Sequence, residues 1–109
     1  MSLFAKLLTL SAIQTQDSDG TDELVMSRAG GVIFERLSLS TGEEFEFDNR
    51  LVPFDQSVGI VLTEVDRETQ QHQDLGTVFI RSDDQHQVEL TQQFRGSGAL
   101  YDLKYKVLG

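Results

Sequence analysis

Turn-forming residues recur along the whole chain at short and regular intervals. The turn signals are Asp19-Gly20, Gly30-Gly31, Thr41-Gly42, Asp48-Asn49, Asp83-Asp84 and Gly96-Ser97-Gly98. Between them, apolar and polar side chains alternate; near the C-terminus Tyr101, Leu103, Tyr105 and Val107 are separated by polar residues. Alternation with a period of two is typical of a β-strand with one buried face. Short alternating segments between regular turns predict an all-β sandwich or barrel.

The pattern divides the chain into eight predicted strands. They cover roughly residues 3–15, 23–29, 32–37, 43–48, 57–64, 76–81, 86–94 and 99–107. Gly30-Gly31 predicts a tight hairpin, because glycine tolerates the positive φ of such turns. Segment 49–57, with the single proline, is predicted to be a loop. Segment 66–73 tolerates a helix but has no apolar stripe to bury, so we expect no helix there.

All 109 residues are expected to form one domain, because a second core would leave each half too small to be stable alone.

The residue type predicts whether several side chains are buried or exposed. We expect six phenylalanines in the core: Phe34, Phe45, Phe47, Phe54, Phe79 and Phe94. Lys104 and Lys106 on the last strand are expected to be exposed, where lysines on an edge strand would discourage aggregation.

The charge balance excludes several classes of partner. The chain has nine Lys/Arg and 18 Asp/Glu, a formal net charge of −9. Such a chain is repelled by DNA, RNA and anionic lipid, so we expect neither nucleic-acid nor membrane binding. The absence of cysteine excludes disulfides and thiolate metal sites. No apolar run approaches the ~20 residues of a membrane span, and no secretory signal is seen, which predicts a cytoplasmic location.

Eight of the acidic residues fall into two short segments, 17–23 and 64–74. Ca²⁺ takes six to eight oxygen ligands, and carboxylates from separate loops suit that requirement. The alternative is that both segments are solvated turns, since Asp, Ser and Gly favour turns. An EF-hand is excluded, because the twelfth position counted from Asp17 is Arg28 and the flanking segments are strand-like.

The order of these features resembles a C2 domain, an eight-stranded β-sandwich with a calcium site between loops at one end. The resemblance rests on three stretches: residues 17–25, residues 41–47, and residues 58–67 followed by 74–76. It implies an all-β, eight-stranded antiparallel β-sandwich of C2-like type. It also implies Ca²⁺ ligands in the first loop (Asp17 and Asp22) and in the later loop (Glu64, Asp66 and Asp74). Asp19 has no fixed counterpart and is an additional candidate.

The chain departs from the family pattern at several points. Glu64 stands where the family usually has Asp, and the spacing from Asp66 to Asp74 is longer than usual. The spacing from Asp17 to Asp22 is slightly shorter. The polar loop tips and the absence of a lysine-rich strand of the phosphoinositide-binding kind do not support the membrane role of many family members.

Enzymatic functions find little support. Glu64 and Asp66 are spaced so that they share a strand face, but a small sandwich without Trp has no evident cleft or platform for a sugar. Neither His72 nor His86 lies in a recognisable Ser/His/Asp context. We therefore expect a non-enzymatic calcium-binding module. The alternative is a metal-independent structural or interaction sandwich that self-assembles through its strand edges or docks on a protein partner.

Overall fold

The computed structural model describes residues 3–16, 20–65, 71–84 and 86–109. In these ranges the chain forms eight strands and no helix. The strands are β1 (Leu3–Gln14), β2 (Thr21–Arg28), β3 (Gly31–Ser40), β4 (Glu44–Phe54), β5 (Ser57–Val65), β6 (His72–Arg81), β7 (Leu90–Gly96) and β8 (Ala99–Leu108). The prediction of eight strands is confirmed, although the seventh begins at Leu90 rather than at residue 86. The predicted tight hairpin between β2 and β3 is also observed, but its turn residues are Ala29 and Gly30, because Gly31 already pairs with Arg28 as the first residue of β3.

The strands form two four-stranded sheets that pack face to face. The order is β4-β1-β8-β7 in sheet A and β3-β2-β5-β6 in sheet B. All neighbouring strands are antiparallel. Alternation supplies the core from one face of each sheet; on β8 the buried residues are Ala99, Tyr101, Leu103, Tyr105 and Val107. The predicted antiparallel β-sandwich is therefore observed.

Strand β4 is longer than predicted and includes most of the segment that was predicted to be a loop. Asp48 and Asn49 have φ angles of 56° and 61°, and they bend the strand without ending it. Pairing with β1 resumes at Arg50 and continues to Phe54. Pro53 is tolerated because β4 is an edge strand, where proline costs no central ladder hydrogen bond.

Two side-chain predictions are wrong. Phe79 is 52% exposed because it lies on the outer face of sheet B, directly opposite Gly59. Its ring covers the space that Gly59 leaves, since a Cβ at Gly59 would lie 3.1 Å from the ring Cε1. Lys104 and Lys106 do not lie on an edge strand, because β8 is between β1 and β7 in the centre of sheet A.

The two long sides of the sandwich are closed in different ways. On the β3–β4 side the rings of Phe34, Phe45 and Phe47 contact one another, with centroid distances of 5.1 to 6.0 Å. On the β6–β7 side the backbones meet at two glycines. A Cβ at Gly76 would lie 2.9 Å from the Arg95 nitrogen, and a Cβ at Gly96 would lie 2.8 Å from the Asp74 carbonyl oxygen.

Backbone irregularities interrupt three of the four edge strands. Arg36 in β3 has a φ of 55°, β4 is bent at Asp48 and Asn49, and Gly76 in β6 has a φ of 124°. Bulges and bends of this kind prevent another strand from pairing along the full edge. The described edges therefore do not favour assembly by strand addition.

Candidate functional site

The described residues that flank the two acidic segments meet at one end of the sandwich, which we call the loop end. Three of the six predicted ligands (Asp17, Asp19 and Asp66) lie outside the described residues. The other three are Asp22 in β2, Glu64 in β5 and Asp74 in β6.

Asp22 and Glu64 point into the interior between the two sheets. Asp22 is 0% exposed and Glu64 is 2% exposed. Glu64 is paired with the buried Leu24, and Asp22 precedes Leu24 by two residues on the same strand. The pleat therefore places both carboxylates on the inner face of sheet B as diagonal neighbours. Two buried carboxylates in such an arrangement repel each other unless protons, donors or a cation compensate their charge.

Asp22 connects the two sheets at the loop end. Its Oδ2 accepts a hydrogen bond of 2.6 Å from the Tyr101 hydroxyl, which comes from β8 in sheet A. The same oxygen accepts a hydrogen bond of 2.8 Å from the backbone N–H of Gln16, just after β1. Hydrogen bonds to an ionised carboxylate are the stronger kind, so these two contacts stabilise a buried negative charge.

Gln16 brings the two acidic segments together and was not predicted as a site residue. Its Nε2 donates a 2.6 Å hydrogen bond to Oε1 of Gln73, and Gln73 is the strand partner of Glu64. The Oε1 atom of Gln16 is buried and has no hydrogen-bond partner among the described residues. An unsatisfied buried carbonyl oxygen is one that a hard cation accepts as a ligand, and the backbone N–H of the same residue contacts Asp22. Nothing in the sequence pattern distinguished this glutamine from an ordinary loop residue.

Asp74 is placed differently from Asp22 and Glu64. It is exposed, whereas its neighbours Gln73 and Leu75 are half-buried and buried. Alternation therefore puts Asp74 on the opposite face of the strand from Leu75. Its Oδ1 accepts a 2.8 Å hydrogen bond from the N–H of Gly76, which supports the backbone at this positive-φ glycine.

The described residues alone do not complete a metal site. Within residues 3–16, 20–65, 71–84 and 86–109, no group of three or more His, Asp or Glu side chains is placed to hold a metal ion. The described part of the loop end supplies two inward carboxylates and one amide oxygen. Six to eight oxygens are needed for Ca²⁺, so further ligands would have to come from Asp17, Asp19 and Asp66 or from water.

The two histidines are separate from the inward carboxylates. His72 is exposed and lines a cavity of about 510 Å³ on the outer side of sheet B, together with Glu23, Glu35 and Arg36. His86 is exposed, and its Nε2 lies 2.9 Å from the Ser82 carbonyl oxygen. Among the described residues, neither histidine is part of an arrangement of nucleophile and base.

Tyr105 is a second buried tyrosine on β8, four residues after Tyr101. Burial raises the pKa of Tyr105 above the ordinary value of 10.0, the hydrogen bond from Gln92 lowers it, and the Asp84 carboxylate raises it. Gln92 donates from Nε2 to the Tyr105 hydroxyl (2.8 Å) and to the Phe79 carbonyl oxygen (2.6 Å). Because Phe79 belongs to sheet B and Tyr105 to sheet A, Gln92 joins the two sheets.

The fold defines an eight-stranded antiparallel β-sandwich with a carboxylate-bearing loop end. No family model matches the chain, and no curated protein is significantly similar to it. The resemblance to C2 domains therefore stays a prediction. In the part of the chain that the structure describes, no helix is long and apolar enough to cross a membrane.

Proposed function

We propose that this protein is a non-enzymatic, C2-like calcium-binding module, with the cation held at the loop end. The observation that carries this proposal is the inward orientation of Asp22 and Glu64, which are 0% and 2% exposed at the same end of one sheet. A divalent cation would compensate both charges at once. Solvated turns, the alternative explanation for the acidic segments, do not account for carboxylates that are buried between sheets.

The ligand set follows from the chemistry of the residues present. Glu64 and Asp22 supply carboxylate oxygens, and Gln16 supplies a neutral amide oxygen of the kind found in calcium sites. Asp17, Asp19 and Asp66 are the candidates for the remaining protein ligands. Asp74 is assigned a smaller role, because it is exposed and lies on the opposite face of β6 from the buried Leu75. The cytoplasm is the compartment that we propose.

Calcium binding should stabilise the fold by linkage. A ligand present at ~100 times its dissociation constant adds about 2.7 kcal/mol to the free energy of unfolding. For a domain of this size that corresponds to a rise in melting temperature of about 10 °C. The measurement is a thermal melt in EDTA, in CaCl₂ and in MgCl₂ at equal ionic strength, followed by calcium titration calorimetry.

Glu64→Gln is the diagnostic variant, and Glu35→Gln is its matched control. Both changes remove one negative charge from sheet B, but Glu35 is exposed on the outer side. We expect the calcium-induced rise to be lost in Glu64→Gln and retained in Glu35→Gln. No calcium-selective rise in the unmodified protein would refute the proposed function, and a full rise in Glu64→Gln would remove Glu64 from the site.

A further inference from the structure

The lysines of the sequence all lie close together on the outer face of sheet A. The sequence contains three lysines, Lys6, Lys104 and Lys106, and all three lie on the two central strands of this sheet. Lys6 in β1 is directly opposite Lys106 in β8, and Lys104 lies two residues before Lys106. Their neighbours Leu103, Tyr105 and Val107 face the core, so the lysines face outward. We call this surface the lysine face.

Apolar side chains continue the lysine face toward the end opposite the acidic loops. Phe4, two residues before Lys6 on β1, is 37% exposed and is paired with Pro53 on one side and Leu108 on the other. Leu51, which pairs with Lys6, is 47% exposed. The register thus produces one apolar row next to one cationic row. Partly exposed aromatic and aliphatic side chains beside charges are typical of an interaction surface rather than of a purely solvating one.

The lysine face has no directly bonded counter-charge within the described part of the chain. Lys6, Lys104 and Lys106 form no hydrogen bond or ion pair with described residues. In a protein with a net charge of −9, this local reversal of sign favours a negatively charged partner at this face. At physiological salt, charges more than ~8 Å from the contact are largely screened, so the local charge governs docking.

From this juxtaposition we propose that the lysine face docks an acidic polypeptide segment of another protein, with apolar side chains of that segment on Phe4 and Leu51. A segment is favoured over a bilayer or a nucleic acid because Glu44, Glu46 and Asp102 lie on the same outer face. An extended polyanion would meet these carboxylates, whereas a short segment matches the lysines alone. A second copy of this chain, docking through one of its own acidic segments, is distinguished from a separate partner by the test. The inference is independent of the calcium site.

The test uses fluorescence anisotropy with a short labelled glutamate peptide that carries two leucines. The diagnostic variant is Lys6→Gln/Lys106→Gln, and the control is Arg36→Gln/Arg81→Gln. The control makes the same change in net charge at exposed positions of sheet B. We expect the lysine variant to bind the peptide about tenfold more weakly and the arginine variant to bind it as the unmodified protein does. Phe4→Ser should weaken the leucine-containing peptide more than an all-glutamate peptide.

Four outcomes would overturn the proposal. Two of them concern the peptide: it does not bind at low salt, or it binds equally weakly to the lysine and arginine variants. The other two concern different occupants in the absence of peptide binding: lysine-dependent retention on phosphatidylserine vesicles, or lysine-dependent self-association in sedimentation equilibrium. Thermal melts of each variant verify the fold, since surface changes of this kind usually alter stability little.

Discussion

The hydrogen bond between Tyr101 and Asp22 is expected to be one of the most stabilising polar contacts of the fold. Tyr101 is 0% exposed, and its hydroxyl donates to a buried carboxylate at 2.6 Å. Hydrogen bonds to charged groups contribute about 1.5–3 kcal/mol, and neutral ones about 0.5–1.5 kcal/mol. Tyr101→Phe removes the donor and leaves the carboxylate buried. We therefore expect it to lower the free energy of unfolding by about 2–3 kcal/mol.

The protein contains its own control on the same strand. Tyr105 is also buried and faces the same core, but its hydroxyl accepts from the neutral Gln92 side chain. Tyr105→Phe should therefore cost only about 1 kcal/mol. The assay is urea denaturation. An equal slope m in both variants would verify that they expose the same surface on unfolding. The expected difference between the two variants is about 1–2 kcal/mol.

A double-mutant cycle separates the contribution of the Asp22 charge from the packing effect of removing the Tyr101 hydroxyl. In an Asp22→Asn background the acceptor is neutral, so Tyr101→Phe should cost only about 1 kcal/mol. A charge-assisted hydrogen bond is contradicted if Tyr101→Phe costs no more than Tyr105→Phe, or if its cost is the same with Asn at position 22. Either result would mean that the Asp22 charge is not stabilised by this contact.

Two further predictions concern stability. Gly76→Ala should cost about 3 kcal/mol or more, because Gly76 has a φ of 124° and a new Cβ would lie 2.9 Å from the Arg95 nitrogen. Gly31→Ala is the control and should change the urea midpoint little, because a Cβ at Gly31 would have no neighbouring atom within 4 Å. Because the pKa of Tyr105 is raised by burial and by Asp84, the unfolded chain releases its proton first as pH rises. That stabilising contribution is complete below about pH 10 and is lost as pH rises through the native pKa. Urea midpoints measured across this alkaline range should fall, and they should fall less in Tyr105→Phe; an equal fall in both proteins would contradict the assignment.

The predictable parts of the fold are those that depend on local patterns in the sequence. The inward residues of β8 follow from period two, and the hairpin between β2 and β3 follows from Gly30, which supplies the positive φ of the turn. Asp48-Asn49 was misjudged because a turn and a bend within a strand require the same residue types at positive φ. Phe79 was misplaced because its position depends on Gly59 in the neighbouring strand, which lies 20 positions earlier in the sequence.

For the candidate site, the types of the ligand residues were easier to predict than the contacts that their side chains make. Asp22 and Glu64 were predicted as ligands, and their inward orientation agrees with the parity of Leu24 and Leu62 on the same strands. The contact with Tyr101 was not predictable, because it depends on how sheet A lies across sheet B. A local pattern gives the face of a strand but not the strand opposite it.

The strand order also determines how the fold can form. The two central strands of sheet A are β1 and β8, the first and the last strands along the chain. Each loses its main neighbour if the other is missing, so sheet A cannot be completed until residues 99–108 have been synthesised. Pairing β8 with β1 closes a loop that spans most of the chain, which is entropically costly. Folds dominated by such distant pairings fold on the millisecond-to-second scale. Until β8 is inserted, one edge of β1 has no strand partner, and this is the interval in which the nascent protein is most vulnerable to aggregation.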